Sequence, residues 1–158
     1  MIRCLIFMYQ EQVGWVRWGK VRSKPFSISN GTRQGSVMSP ILWALYCDPM
    51  IKRLRKLGIG AHVAGLFMSV ACFADDVILI APSYQAMQLM LEEVEAFAKE
   101  NNVQFSTDPV PHKSKSKCIF MMGHRKNLQK PPELRLCGRA LPWVEKATHL
   151  GHVWPNGG

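Results

Sequence analysis

The stretch that decides the fold is ACFADDVILIAPS, residues 71–83. An apolar run, residues 70–74, leads into Asp75 and Asp76, and a second apolar run, residues 77–81, follows at once. Two β-prone runs separated by so short a polar break predict a β-hairpin with the two aspartates at its tip. Adjacent carboxylates repel each other, so their position between two apolar strands requires a chemical reason.

A divalent cation is one such reason. Hard ions such as Mg²⁺ take oxygen ligands and share them with substrate phosphates. A two-metal phosphoryl-transfer site holds its ions about 3.5–4 Å apart. Flanking strands would keep Asp75 and Asp76 rigid, as such a site needs. The alternative is a solvated Asp-Asp turn without a ligand, and the pair alone leaves both interpretations open.

Two segments carry the pattern of amphipathic helices. The first opens at Ser39, a good N-cap, and Pro40, which suits the first helical position. Four cations within residues 52–56 suit its C-terminal end. Ser83 can cap the second helix, residues 84–101, whose apolar stripe predicts core packing. Because short β-prone runs fill most of the remaining chain, the sequence predicts an α+β fold.

Composition favours an intracellular chain with a polyanionic partner. The 158 residues carry a net charge of +9, which suggests nucleic acid, although a soluble basic protein without such a partner is the alternative. The five cysteines are widely spaced and form no CxxC, as in a reducing compartment. The longest uncharged apolar run, residues 63–74, is shorter than the roughly 20 residues of a membrane helix. We expect a nuclear or cytoplasmic chain and no membrane.

Two loops carry groups that suit phosphate contact. In NGTRQGS, residues 30–36, the glycines allow close backbone approach and Arg33 and Gln34 offer directional donors; the alternative is a plain turn. In HKSKSKC, residues 112–118, three alternate lysines would share one face of an extended segment; the alternative is a solvated basic loop. Further strands are predicted over residues 118–122 and 149–153.

These segments stand in a fixed order that resembles one family. FSISNGTRQGSVMSPILWALYCDP, CFADDVILIAPS, FSTDP with KSKSKCIF, and HLGH follow one another as in the reverse transcriptases of non-LTR (LINE-type) retrotransposons. The resemblance runs from about residue 1 to 153. It implies RNA-directed DNA synthesis, in which a primer 3′-hydroxyl attacks the α-phosphate of a nucleotide with the help of two magnesium ions. The implied partners are an RNA template, a DNA primer and deoxynucleoside triphosphates.

The resemblance also implies roles for individual residues. Asp75 stands where the family has its catalytic metal ligand, with Asp76 beside it. Lys115 is similar to the lysine near the triphosphate, with Lys117 as a less favoured substitute. The remaining positions are Arg33, Gln34 and Gly35 in the loop near template and incoming nucleotide, Leu150 and Gly151 in the turn that grips the primer end, and Trp143 as a structural residue before that turn.

The implied fold is an incomplete palm of the right-hand polymerase type, an antiparallel sheet with two main helices. It would span residues 1–153, with residues 154–158 as a tail. The family has a further catalytic aspartate on a strand upstream, whereas Glu11 is the only acid before residue 30. We therefore expect the chain to lack the fingers and the first aspartate strand, which the parent protein would supply, and to be inactive alone.

Two other functions remain open at this point. The chain could be a non-catalytic nucleic-acid binder, using a basic ribbon over residues 13–29, the cations at 52–56 and the lysine loop. It could also be a retrotransposon relic without function. Catalysis would depend on Asp75 and magnesium, whereas binding would depend on Lys and Arg and fall steeply with salt.

Overall fold

The computed structural model describes residues 2–29, 31–32, 35–108, 110, 112–121 and 131–155. The elements of the first part are α1 Ile2–Gln10, β1 Gln12–Gly14, β2 Arg17–Trp18, β3 Val21–Arg22, β4 Phe26–Ile28 and α2 Ser39–Lys56. The second part contains β5 His62–Val63, β6 Leu66–Phe67, β7 Val70–Phe73, β8 Asp76–Leu79, α3 Tyr84–Asn101, β9 Arg135–Leu136, β10 Arg139–Ala140, β11 Lys146–His149 and β12 His152–Pro155. Both helices predicted from the sequence are therefore present.

The chain forms two compact units, residues 1–43 and 44–158. In the first unit, α1 precedes two nested hairpins, because β1 pairs with β4 and the shorter pair β2–β3 lies between them. The two-stranded ribbon predicted over residues 13–29 is confirmed only in part: the pairing near residues 13 and 27 forms, but the first predicted strand, residues 13–21, reverses at Gly19 and Lys20. Gly14 in β1 packs closely against β4, since a Cβ there would meet Ile28 Cδ1 at 3.0 Å and the Phe26 ring at 3.2 Å.

The core of the second unit joins α2 to α3. Its buried residues are Met50 and Leu54 from α2, Met90, Leu91, Val94 and Phe97 from α3, and Leu134, Leu136 and Leu141. At the edge of this contact Arg53 Nη1 lies 3.7 Å from Glu93 Oε1, and the Tyr46 ring meets the Phe97 ring edge-on. The apolar stripe of α3 therefore packs the core, as predicted.

Local signals fix the helix ends. Ser83 Oγ accepts a hydrogen bond from Ala86 N at 3.1 Å and so caps the start of α3. Asn102 ends that helix in the left-handed region, with φ +54°. Gly58, with φ +67°, lies two residues beyond Lys56, the last residue of α2. These are the positions where Ser, Asn and Gly are favoured, because each satisfies backbone groups that a helix leaves unpaired.

Ser69, the residue directly before β7, is buried and makes hydrogen bonds that hold the start of the Asp-Asp hairpin. Ser69 is fully buried, and its hydroxyl donates to the carbonyl of Ala61 at 3.1 Å. Its own carbonyl accepts from Ile80 N at 2.7 Å, just beyond β8. Gly60, with φ +122°, lies against it so closely that a Cβ would meet Ser69 Oγ at 2.1 Å.

The described strands pair in twos and every pair is antiparallel, apart from one isolated parallel bridge between Cys118 and Trp143. Helices and small antiparallel sheets together confirm the α+β class. The strand predicted over residues 118–122 is wrong for its described part, residues 118–121, because only that single bridge forms. None of the helices in the described ranges is long and apolar enough to cross a membrane.

Candidate active site

The two aspartates lie at the tip of a hairpin, as the sequence predicts. β7 pairs with β8 in a register that sets Phe73 opposite Asp76 and Val70 opposite Leu79. Ala74 and Asp75 form the two-residue turn, and Asp76 opens β8. Ala74 has φ +50°, a left-handed conformation that strains any residue with a Cβ. The short turn therefore holds the two carboxylates next to each other at a fixed point of the sheet.

Both carboxylates face water. Asp75 is exposed, and the Asp76 side chain is 57% exposed. Carboxylates so placed can meet a hydrated Mg²⁺, which is commonly bound through one or two carboxylates together with substrate phosphates and water. Among the described residues there is no group of three or more His, Cys, Asp or Glu that could hold a metal ion. Asp75 and Asp76 thus fit a weakly bound hard cation that takes its other ligands from water and substrate phosphates.

The predicted primer-grip residues also form a turn. Leu150 and Gly151 connect β11 to β12, with φ +50° and +78°. Two consecutive positive φ values are typical of the type I′ turn that closes tight hairpins. The single strand predicted over residues 149–153 is therefore wrong, because the chain reverses at Leu150 and Gly151.

One contact links this turn to the Asp-Asp hairpin. His149, the last residue of β11, places Nδ1 3.8 Å from Asp76 Oδ2. The His149 side chain is 20% exposed, so it is mostly enclosed, in contrast to Asp76. This contact brings the last residue of β11, directly before Leu150, next to Asp76, the first residue of β8. Sequence reasoning gave His149 no role; its only signal was its position directly before Leu150.

The lysine loop is partly as predicted. Lys113, Lys115 and Lys117 are all exposed, and Ser114 between them is buried. The segment begins in a turn, since the backbone N–H groups of Lys113 and Ser114 both donate to Val110 O. Ser114 Oγ then accepts from Asp108 N at 3.2 Å. Because Ser114 points into the protein, the lysines on either side of it face water, where Lys115 can contact an anion.

Arg33 and Gln34 lie outside the described residues. Gly35 lies in the first unit with φ +81°, a conformation for which glycine is favoured. With Ser36 and residues of α1 it lines an open concavity of about 610 Å³. Helix α2 begins at Ser39, where the sequence places a helix start.

Trp143 has structural contacts. Its indole Nε1–H donates to the carbonyl of Pro132 at 3.0 Å. Its ring meets those of Tyr84 and Phe120 edge-on, with centroids 5.9 and 6.5 Å away. These contacts fix the segment that leads to β11, in line with the structural role predicted for this tryptophan.

Two thiols of the second unit, Cys72 and Cys118, have a raised pKa. Burial raises the pKa of Cys118 to about 11 and also raises the pKa of Cys72 in β7. A thiol with a raised pKa stays protonated, and the thiolate is the reactive form.

Comparison with known proteins decides the family. Residues 3–153 match the model of the family described as reverse transcriptase (RNA-dependent DNA polymerase). The chain belongs to this reverse transcriptase family. This result confirms the resemblance on which the residue assignments were based, and the match includes both hairpins and the lysine loop.

Curated relatives point to one group of retrotransposons. The Pol polyprotein of the type-2 element R2DM from Drosophila melanogaster is 30% identical over 104 residues, which cover 63% of this chain and 10% of that protein. The 115 kDa protein of the type-1 element R1DM from the same fly is 25% identical over 78% of this chain and 11% of its own length. The R2 polyprotein of Nasonia vitripennis is 23% identical over 98% of this chain and 15% of its length. The chain thus spans 10–15% of these three relatives.

Proposed function

We propose that this chain provides part of the active site of an RNA-directed DNA polymerase from a retrotransposon, within an incomplete palm of the right-hand type. One observation carries the proposal. Asp75 and Asp76 stand at the tip of an antiparallel hairpin in a chain whose residues 3–153 match the reverse transcriptase family. The adjacent aspartates therefore lie within the matched sequence and also at a short, rigid turn, as metal ligands require.

Asp75 and Asp76 would hold the divalent cations. Magnesium, when bound, neutralises charge that develops on the reacting phosphate and lowers the pKa of the attacking hydroxyl. The chain supplies one exposed carboxylate in the two-residue turn and one directly after it, and four residue pairs between β7 and β8 fix that turn. A rigid pair of ligands avoids the cost of ordering them when the metal and the triphosphate arrive.

The neighbouring hairpin would place the primer. Leu150 and Gly151 form the turn that follows His149, and His149 Nδ1 lies 3.8 Å from Asp76 Oδ2. A primer end held at this turn would lie beside the carboxylates, where its 3′-hydroxyl has to react. Lys115, exposed on its loop, would contact the triphosphate. Arg33, Gln34 and Gly35 would lie near the template and the incoming nucleotide.

We propose further that the chain does not polymerise by itself. Asp75 and Asp76 are the two candidate ligands, and Glu11 is the only acid before Asp48. Two bridged ions need carboxylates from more than one strand, so these two would hold one weak, hydrated ion. The polymerase would act in the nucleus or cytoplasm on an RNA template, a DNA primer and deoxynucleotides.

Metal binding tests the site without requiring activity. The 158-residue chain is titrated with Mn²⁺, a paramagnetic substitute for Mg²⁺, and water-proton relaxation measures the bound fraction. We expect weak binding that the Asp75→Asn, Asp76→Asn double variant abolishes. Asp48→Asn is the control, because it removes an exposed carboxylate that pairs with Lys52 elsewhere on the surface. Equal Mn²⁺ binding by the double variant would contradict the metal role.

Primer extension on an RNA template, with magnesium and all four deoxynucleotides, tests the second proposal. We expect no incorporation by the folded chain. Incorporation that the Asp75→Asn, Asp76→Asn variant loses would show that the chain forms a complete site and would refute its inactivity. Incorporation that the variant keeps would refute the assignment of the two aspartates.

A further inference from the structure

The hairpin β2–β3 in the first unit has two different faces. Arg17 pairs with Arg22 and Trp18 pairs with Val21. Since side chains alternate along a strand, the two arginines share one face and Trp18 and Val21 share the other. Gly19, with φ +60°, begins the two-residue turn between the strands. The register thus starts both arginine side chains on the same side of the hairpin, where Arg17 Nε donates to the carbonyl of Gly19 at 3.1 Å.

This arrangement is unfavourable without an anion. Like charges directly opposite each other destabilise an antiparallel pair. The sequence has no Asp or Glu between Gln12 and Cys47, and the first 43 residues hold six of the chain's Lys and Arg against one acid. Within the described residues, no ion pair joins Arg17 or Arg22 to a carboxylate. The arginine face therefore has charge that the unit itself does not neutralise.

An aromatic ring lies beside the arginines. Arg22 Cζ is 5.1 Å from the centroid of the Trp15 ring, so the guanidinium covers one face of the indole. Trp15 remains 50% exposed, so a large part of its surface is accessible to a ligand. Alternation sets Trp15 on the same side as Arg17, and the Ser23 N–H···O=C Val16 bond of 2.9 Å continues the pairing toward it. The indole of Trp15, on which a base can stack, and the side chains of Arg17 and Arg22, which can bind phosphate, thus share one face.

We propose that this face, formed by Trp15, Arg17 and Arg22, binds single-stranded nucleic acid. A backbone phosphate lies between the two guanidinium groups, which hydrogen-bond phosphate oxygens in a fork geometry. An unpaired base stacks on the open face of Trp15, as bases do on aromatic side chains in single-strand binding proteins. Lys20 in the turn and Lys24 beyond β3 add positive charge along the strand's path. The binding needs neither metal nor Asp75 and Asp76, so it is independent of the proposed polymerase role.

The test is fluorescence anisotropy with the 158-residue chain in EDTA. The probes are labelled RNA and DNA single strands of about 12 nucleotides, a length within the range that one binding fold covers. A DNA duplex of the same sequence is the third probe. We expect both single strands, or one of them, to bind more tightly than the duplex; the RNA and DNA arms show which sugar is preferred. Equal or tighter duplex binding would overturn the proposal, because a paired base cannot stack on Trp15.

Paired variants locate the site. Arg17→Gln with Arg22→Gln should weaken binding at least tenfold and lower the slope of log K against log salt by roughly 1 between 50 and 200 mM salt. The charge-matched control is Arg3→Gln with Arg135→Gln, which removes two exposed arginines elsewhere. A control loss as large as the loss at Arg17 and Arg22 would show general charge attraction and refute a site.

A second pair separates stacking from charge. Trp15→Leu should weaken binding about tenfold, the usual effect of losing one stacked base. Trp18→Leu, on the opposite face and 86% exposed, should change affinity less than twofold. Equal losses from both variants would refute the face assignment. Photocrosslinking of 5-iodouridine RNA to the unmodified chain avoids any folding defect: a crosslink on the tryptic peptide that contains Trp15 supports the proposal, and crosslinks only elsewhere overturn it.

Discussion

Gly60→Ala is the substitution for which the structure predicts the largest defect from the smallest change. A Cβ at this position would lie 2.1 Å from Ser69 Oγ and 2.8 Å from Ser69 Cβ. Ser69 has no room to move, since it is fully buried and its hydroxyl bonds to Ala61 O. The backbone adds a second cost, because φ at Gly60 is +122°, a region that residues with a Cβ rarely adopt.

The expected loss is about 4 kcal/mol of unfolding free energy. Forcing a non-glycine residue into this backbone region costs about 1–3 kcal/mol. Overfilling a packed site costs about 1–3 kcal/mol more. Gly58→Ala is the matched control, because Gly58 also has a positive φ but no atom within 4 Å of its Cβ position. It should cost about 1 kcal/mol, from backbone strain alone.

Urea unfolding followed by far-ultraviolet circular dichroism measures both variants. With a slope of about 1–3 kcal/mol per molar urea, the midpoint of Gly60→Ala should fall by roughly 2 M. The double variant Gly60→Ala, Ser69→Gly removes the clash, so it should lose clearly less than the sum of its single variants. If Gly60→Ala and Gly58→Ala differ by less than about 0.5 kcal/mol, the close contact with Ser69 does not exist and the reasoning fails.

Three further predictions use the same assay. Leu54→Ala should cost about 2–5 kcal/mol, because Leu54 is fully buried between α2 and α3; a cost below 1 kcal/mol would contradict that packing. Ala74→Gly should raise stability by about 0.5 kcal/mol by removing left-handed strain, and no gain would mean that the turn is relaxed as it stands. The hydrogen bond from Lys99, with help from the Cys137 N–H, lowers the pKa of Glu95 below 4.5. The ionised Glu95 therefore stabilises the folded chain fully above pH 4.5, and this stabilisation is lost as the pH falls through the pKa of Glu95 in the folded state. Glu95→Gln should therefore make the free energy of unfolding less dependent on pH on the acid side.

Features with a local cause were predictable from the sequence. The helix start at Ser83 needs only a capping hydroxyl and an apolar stripe, and the Asp-Asp hairpin needs only two apolar runs on either side of a short break. The match to the reverse transcriptase family confirms the resemblance that these motifs suggested. The roles of Asp75, Asp76 and Lys115 remain predictions, since they depend on ligands that the chain meets only in function.

Features that depend on distant partners were not predictable. Cys118 forms a single bridge with Trp143, and nothing in the local pattern distinguishes a bridge from a strand. Residues 149–153 look like one β-prone run, but Gly151 allows the chain to reverse within it. The contact of His149 with Asp76 joins segments far apart in sequence, so periodicity and spacing contain no trace of it.

The two-residue turn of the Asp-Asp hairpin has a consequence for the order of folding. Pairing Phe73 with Asp76 closes a loop of two residues, whereas packing Met50 against Met90 closes one of about 40 residues. Closing the longer loop costs on the order of 2–3 kcal/mol more in chain entropy. Hairpins form in about 1–10 μs. We expect the strand register around Asp75 and Asp76 to be set while α2 and α3 are still unpacked, so that a defect in the core slows folding without misplacing the two carboxylates relative to each other.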